Sequence, residues 1–261
     1  MSEEQEGRVR LDREGPLARV TFERPAARNA MTWAMYDALA AICAEIRSDP
    51  SVRVALLRGA GGKAFIAGTD IAQFMHFSSG EDGLAYERRM EAVLGALETL
   101  PMPTVALLEG WAVGGGLAIA SCCDFRIATT GTKLGVPIAR TLGNCLSMHN
   151  CARLVAALGT AAAKRILLLG DFLTAEEAQS LGFILDVVPP EAIDARAASL
   201  CDRLARNAPI TMRVSKEMIR RLVLDRLAEA DDLLRETYGS RDFRTGVSAF
   251  VEKREPQWSG T

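Results

Sequence analysis

Apolar and polar residues alternate through Val9–Asp12 and again through Leu17–Phe22, on either side of Glu14-Gly15-Pro16. This is the pattern of a two-stranded hairpin, and Arg24-Pro25 breaks it. From Thr32 the period becomes helical. Met35, Leu39, Ile42, Cys43 and Ile46 share one face, and Thr32 is placed to cap a helix running to about Arg47. Val54–Leu57 is an apolar run closed by Gly59-Ala60-Gly61-Gly62, which predicts a buried strand. Ala64–Gly68 continues into a loop, and Asp70 can cap a short helical turn. Residues 77–83, rich in Ser, Gly and Asp, read as a loop; the helix after it reaches about Leu100 with Met90, Val93, Leu94 and Leu97 as its stripe. Pro101 and Pro103 end that helix, Thr104–Leu108 is a second buried strand, and Gly110–Gly116 turns the chain into a short apolar helix ending near Cys122. Asp124–Thr129 is again a strand. Helical patterns then cover about 146–158, 160–169, 174–181, 190–207, 209–223 and 225–238. Strands alternating with helices, followed by a helical tail, predict an α/β core over residues 1–190 and a C-terminal helical region over 191–261. The tail's stripes, with Met212, Met218, Ile219 and Leu222, are too extensive for a free segment.

The chain has 261 residues and a net charge of -2, so no global field favours nucleic acid or an anionic membrane. No apolar run is long enough to span a bilayer. The polar, acidic start Met1-Ser2-Glu3-Glu4 lacks the features of a signal peptide, which leads to the expectation of a cytoplasmic protein. The first long helix carries Arg47 as its only basic residue, and no lysine-interleaved aromatics are present, so RNA binding finds no support. The cysteines at 43, 122, 123, 145, 151 and 201 form no C-x-x-C pair and read as reduced thiols. His76 and His149 lie far apart without zinc-like spacing, so no metal is expected.

Two segments combine a strand, a glycine turn and a helix start: Ala64–Ile71 and Gly110–Gly116. Glycine allows unusual dihedrals and close approach, and a helix start leaves N–H groups unpaired. Two such donors converging on one point bind an oxyanion. Glycines also serve tight packing, and either segment alone carries little. Neither nucleotide fingerprint fits, because no G-K-[ST] follows the triple glycine and G-x-G-x-x-G is absent there.

Taken in order, the motifs resemble those of the enoyl-CoA hydratase/isomerase (crotonase) superfamily. They are Arg24-Pro25 with Asn29-Ala30-Met31, then Lys63-Ala64-Phe65-Ile66-Ala67-Gly68-Thr69-Asp70-Ile71. Next come Gly110-Trp111-Ala112-Val113-Gly114-Gly115-Gly116 with Cys123-Asp124, and finally Phe250-Val251-Glu252-Lys253-Arg254. The resemblance spans nearly the whole chain. It implies a crotonase-like α/β spiral of β-β-α units with a C-terminal helical trimerisation region, assembled as a homotrimer or a dimer of trimers. It implies an acyl-CoA thioester as ligand and no cofactor beyond the coenzyme A of the substrate. Carried onto this sequence, the oxyanion donors are the N–H groups of Ala67 and Gly115. Ala64, Gly68, Asp70 and Ile71 join them around the ligand, and Arg28 with Lys253 or Arg254 faces the phosphate or adenine end of coenzyme A.

The sequence departs from the family at two places. Hydratases of the family carry a glutamate three residues after the middle glycine, where this chain has Ala118, and another after a proline, where it has Ile138. Neither side chain transfers protons. Candidate replacements are Asn144, which can position water or polarise a carbonyl, and His149, the nearest ordinary proton carrier. Cys145 reads as a nucleophile or a small wall, Glu109 as a displaced carboxylate, Asp70 and Asp124 as structural, and His76 as a surface or lid residue. Three functions stay open: a hydratase, isomerase or related lyase with another proton carrier; a decarboxylase, which makes the enolate without removing a C–H proton; and a CoA-thioester-binding module without turnover.

Overall fold

The structure, a computed structural model, describes residues 7–225 and 231–259. Its larger sheet has the strand order 8–14, 17–23, 54–59, 104–108, 125–129, 186–188. The hairpin pairs β1 (Arg8–Glu14) with β2 (Leu17–Glu23) antiparallel. From β2 the ladder is parallel through β3 (Val54–Gly59), β4 (Thr104–Leu108), β6 (Phe125–Thr129) and β9 (Asp186–Val188). A second sheet joins β5 (Trp111–Val113), β7 (Lys133–Gly135) and β8 (Phe172–Thr174).

The unbroken apolar runs of β3 and β4 follow from burial on both faces. Ala55, Leu57, Ala106 and Leu108 enter the main core. Their alternates Val54, Leu56, Val105 and Leu107 pack on the opposite face against Ala197, Leu200, Cys201 and Leu204. The α/β architecture expected from the sequence is present.

The helices are α1 (Trp33–Ser48), α2 (Gly80–Glu98), α3 (Gly115–Ser121), α4 (Ile138–Thr141), α5 (Met148–Lys164), α6 (Ala175–Ser180), α7 (Ile193–Arg206), α8 (Pro209–Leu224), α9 (Asp231–Gly239) and α10 (Arg241–Glu252). Thr32 caps α1 by accepting from the Met35 N–H at 3.3 Å. Several boundaries differ from the sequence reading. The loop expected over 77–83 is half helix: Asp82 accepts the N–H groups of Ser78 and Ser79, each at 2.8 Å, and α2 begins at Gly80. Glycine is required at Gly83 because a Cβ there would collide with the Tyr238 ring. The two helices expected over 146–169 form one path, kinked at Gly159 (φ 78°) and ending in a π turn at Arg165–Leu169. Strands β5, β7, β8 and β9, each three residues long, and helix α10 were not anticipated. Of the helix expected over 225–238, residues 226–230 lie outside the described residues.

The C-terminal helices fold back on their own chain: α9 packs on α2, and α10 packs on a 3-10 helix, Ile71–His76. On α8, Ile210, Met218, Ile219 and Leu222 remain exposed. No described helix is long and apolar enough to cross a membrane.

Candidate active site

The site is organised by a turn that precedes it by some forty residues. Arg28 and Asn29 adopt left-handed backbone, φ 51° and 59°. This aims the fully buried Asn29 side chain inward. Its Oδ1 accepts the Arg24 N–H, and its Nδ2 donates to the carbonyls of Ala60 and Ala64, all at 2.9 Å. One side chain thus ties the Arg24-Pro25 turn to the end of β3 and to the start of the Ala64–Ile71 segment. That segment is held to the second glycine segment by parallel bridging: the Ile66 N–H donates to the Trp111 carbonyl at 3.2 Å, and the Val113 N–H to the Ile66 carbonyl at 3.0 Å.

This scaffold decides which N–H groups are available. Ala67 is not a free donor, because its N–H is given to the Arg28 carbonyl at 3.0 Å. The expectation that Ala67 supplies the oxyanion bond is therefore corrected. Two residues on, Met31 brackets Thr69, donating to the Gly68 carbonyl and accepting from the Asp70 N–H, both at 2.9 Å. The Thr69 N–H itself has no partner among the described residues, and neither has that of Gly115 at the first turn of α3. Gly114 has φ 53° and a Cβ on it would lie 3.7 Å from the Gly68 Cα; a Cβ on Gly115 would lie 3.0 Å from the Thr69 hydroxyl and collide with Tyr36. Gly114 needs glycine for its left-handed backbone, and Gly115 because a Cβ would press on the Tyr36 and Thr69 hydroxyls.

Thr69 and Gly115 line one cavity of about 150 Å³. Ala118 and Ile138 line it too, as do the apolar side chains of Phe74, Met90, Leu94, Leu142 and Phe250. The Tyr36 hydroxyl is 2.8 Å from that of Thr69, and burial pushes its pKa up to about 12, so it is a neutral phenol.

One carboxylate enters this wall. Glu87, on α2, is 5% exposed. Its Oε1 accepts the Tyr238 hydroxyl at 2.6 Å and its Oε2 accepts the Ser147 N–H at 3.1 Å. Burial raises its pKa to about 7, against the opposing pull of those two hydrogen bonds. Asn144 Nδ2 donates to the Tyr238 oxygen at 3.3 Å, while its Oδ1 is buried without a hydrogen-bond partner.

Comparison with known proteins identifies the family. The family model for enoyl-CoA hydratase/isomerase matches residues 12–261. The chain belongs to that family. A short-chain-enoyl-CoA hydratase from Clostridium acetobutylicum is 32% identical, covering 95% of each chain. An (E)-benzylidenesuccinyl-CoA hydratase from Thauera aromatica is 33% identical over 97% of this chain and 99% of that one. Among solved structures, an enoyl-CoA hydratase/carnithine racemase from Magnetospirillum magneticum is 36% identical with a TM-score of 0.79, covering 97% of this chain and 96% of its own. A methylmalonyl-CoA decarboxylase is 25% identical with a TM-score of 0.89, covering 97% and 98%.

As a member of the enoyl-CoA hydratase/isomerase family, the chain distributes its other candidate residues as follows. Ala67, Gly68, Ile71, Gly115 and Asn144 line the cavity. Ala64 does not: it is 1% exposed and its carbonyl is taken by Asn29. Asp70 caps the 3-10 helix at the Ala72 N–H and pairs with Arg24 at 2.8 Å, so its role is structural. Arg28 and Lys253 are exposed at left-handed positions and do not line the cavity. His149 lies in the first turn of α5 and is absent from the lining, which removes the observation that favoured it as proton carrier. Cys145 has its thiol pushed up to about 11 by burial, which disfavours a thiolate nucleophile. Glu109 is engaged by Arg58 at 3.0 Å, away from the cavity. Asp124 accepts the Thr104 N–H at 2.8 Å and pairs with Lys216 at 2.7 Å, and His76 is exposed at the end of the 3-10 helix. Glu87, Thr69 and Tyr238 were missed. A signal for Glu87 existed: it lies three and seven residues before Met90 and Leu94, so a glutamate occupies the apolar stripe of α2.

Proposed function

We propose that this chain acts on an acyl-CoA thioester and holds the thioester oxygen between the N–H groups of Thr69 and Gly115 while negative charge develops there. The observation that carries the reading is the pair of unpartnered N–H groups, from two separate glycine turns, on one small and largely apolar cavity. Enolate formation places much of a negative charge on the thioester oxygen, and a preorganised donor stabilises that charge by about 3–4 kcal/mol. Coenzyme A enters as part of the substrate, and no further cofactor is required. Arg28 and Lys253, exposed cations, are assigned to its phosphate end. The apolar face of α8 formed by Ile210, Met218, Ile219 and Leu222 is the surface that a trimer would cover.

The reaction assigned is carbon-acid chemistry at the position next to the thioester, not water addition. Water addition to an enoyl thioester requires groups that orient water and move its proton. Ala118 and Ile138 supply neither. Decarboxylation is the second reading, favoured by the TM-score of 0.89 to the methylmalonyl-CoA decarboxylase. Loss of carbon dioxide leaves the same enolate for the same two N–H groups.

The test is titration calorimetry of the purified protein with butyryl-CoA and with butyrate. Butyryl-CoA is expected to bind more tightly, because pantetheine and nucleotide contribute contacts remote from the reacting atoms. Equal affinities, or no binding of the CoA ester, overturn the reading.

A further inference from the structure

We infer that Glu87 is the proton carrier of this site, removing a proton beside the thioester carbonyl and returning it to carbon, with Tyr238 as the residue that positions its carboxylate. The inference rests on the acyl-CoA reading above and names the group that reading lacks.

Three observations converge on it. Glu87 lines the same cavity as Thr69 and Gly115. Its carboxylate has no cation as hydrogen-bond or ion-pair partner among the described residues: the contacts are the Tyr238 hydroxyl and the Ser147 N–H. The nearby guanidinium, Arg153 on α5, is committed to Glu91 at 2.6 Å and Glu98 at 2.8 Å. Glutamates are seldom fully buried unless paired, so one held only by neutral donors is unusual. The third observation is Asn144, whose Nδ2 reaches the Tyr238 oxygen while its Oδ1, buried and unpartnered, remains for a ligand group.

The chemistry follows from having one carboxylate rather than two. With a 3-enoyl thioester, Glu87 takes a C2 proton. The electron pair of that C–H bond moves into the C1–C2 bond and onto the thioester oxygen, held by the N–H groups of Thr69 and Gly115. The electrons of the dienolate then return, forming a bond from C4 to the proton on Glu87 and leaving the double bond between C2 and C3. One group gives back what it took, so no water and no second acid are consumed. Double-bond migration is the isomerase reaction for which the family is named; what is assigned here is the residue that carries its proton. Thr69 and Gly115 do the same work in either reading, and Glu87 adds isomerisation to it.

A carboxyl titrating near neutrality exchanges protons in both directions at working pH. The groups that set this titration come from several elements. Glu91 on the same helix raises the pKa, and Tyr238 and Ser147 lower it; Tyr36, Tyr86, Cys145 and Cys151 also face the carboxylate.

The experiment is α-proton exchange of butyryl-CoA in deuterium oxide, followed by mass spectrometry, together with binding of the same ester. It needs no knowledge of the natural acyl group. The wild-type chain is expected to bind and exchange, with a rate that climbs as pH rises through about 7. Glu87→Gln is expected to bind comparably and exchange at least ~100-fold more slowly. Tyr238→Phe removes a bond that lowers the Glu87 pKa, so its exchange persists with the rising limb moved to higher pH. A merely structural Tyr238 would not move that limb. A Glu87→Gln variant that binds and exchanges like wild type overturns the inference. If that variant does not bind, an unmoved limb in Tyr238→Phe overturns it. A wild type that binds butyryl-CoA without exchange overturns Glu87 as base and leaves the acyl-CoA reading intact. A wild type that does not bind overturns that reading itself.

Discussion

Crotonyl-CoA hydration by this chain is expected to run at least about a hundredfold below that of a family member with glutamates at both positions matching Ala118 and Ile138. A positioned acid or base contributes about 10²–10⁴-fold, and hydration uses such groups both to activate water and to protonate carbon. Ala118 and Ile138, at the positions that the motif spacing matches to glutamates, line the cavity and carry no titratable proton. Glu87 approaches from α2 and is bound at both oxygens by Tyr238 and Ser147. That arrangement suits a carrier that moves one proton between carbons better than one that holds water. Steady-state assays with crotonyl-CoA on both proteins, under the same conditions, check this. A rate within tenfold of the glutamate-bearing enzyme would show that the pocket delivers water by another route.

The second large effect is on stability. Glu87→Gln is expected to stabilise the chain at pH 8 and to lose most of that advantage by pH 5. The sign follows from linkage. The folded pKa of about 7 lies above the ordinary 4.5, so the folded state prefers the protonated form. That favourable contribution is complete below pH 4.5 and is lost as pH rises through 7. Ionising the buried carboxylate then costs on the order of 3 kcal/mol. The amide escapes this cost and can keep both contacts. Its oxygen accepts the Ser147 N–H, and its nitrogen donates to the Tyr238 oxygen, whose own proton turns to the Cys145 carbonyl 3.4 Å away. Urea unfolding at several pH values is expected to give a gain of about 2 kcal/mol at pH 8. A gap that does not change between pH 5 and 8 would mean that Glu87 titrates normally. Such a gain is the usual sign of a residue kept for function at a cost in stability.

How far the sequence could be read is shown by these residues. The hairpin, α1 with its Thr32 cap and the buried runs of β3 and β4 were legible because local periodicity and capping encode them. The two glycine segments were legible as partners, and both line the one cavity. Which N–H in the first was free was not, because it depends on the Arg28 carbonyl, delivered by a left-handed turn distant in sequence. The positions of Ala118 and Ile138 on the cavity wall were also legible from motif spacing. Glu87 was hidden for a different reason. It sits inside the expected helix, but a glutamate on an apolar stripe does not by itself show that a cavity lies beneath it. Its partner Tyr238 lies on α9, 151 positions further along the chain, and no local pattern joins them. The three-residue strands were missed because so short a segment shows no period.

The most direct measurement of the central claim is the carbonyl stretch of butyryl-CoA labelled with carbon-13 at the thioester carbon, by difference infrared spectroscopy, free and bound. Two N–H donors aimed at the oxygen draw electron density onto it and weaken the C=O bond. The expected result is a bound band displaced to lower frequency than the free ester in water. A saturating ligand whose carbonyl band is unmoved, or moves upward as in an apolar solvent, would contradict the claim that Thr69 and Gly115 hold the thioester oxygen.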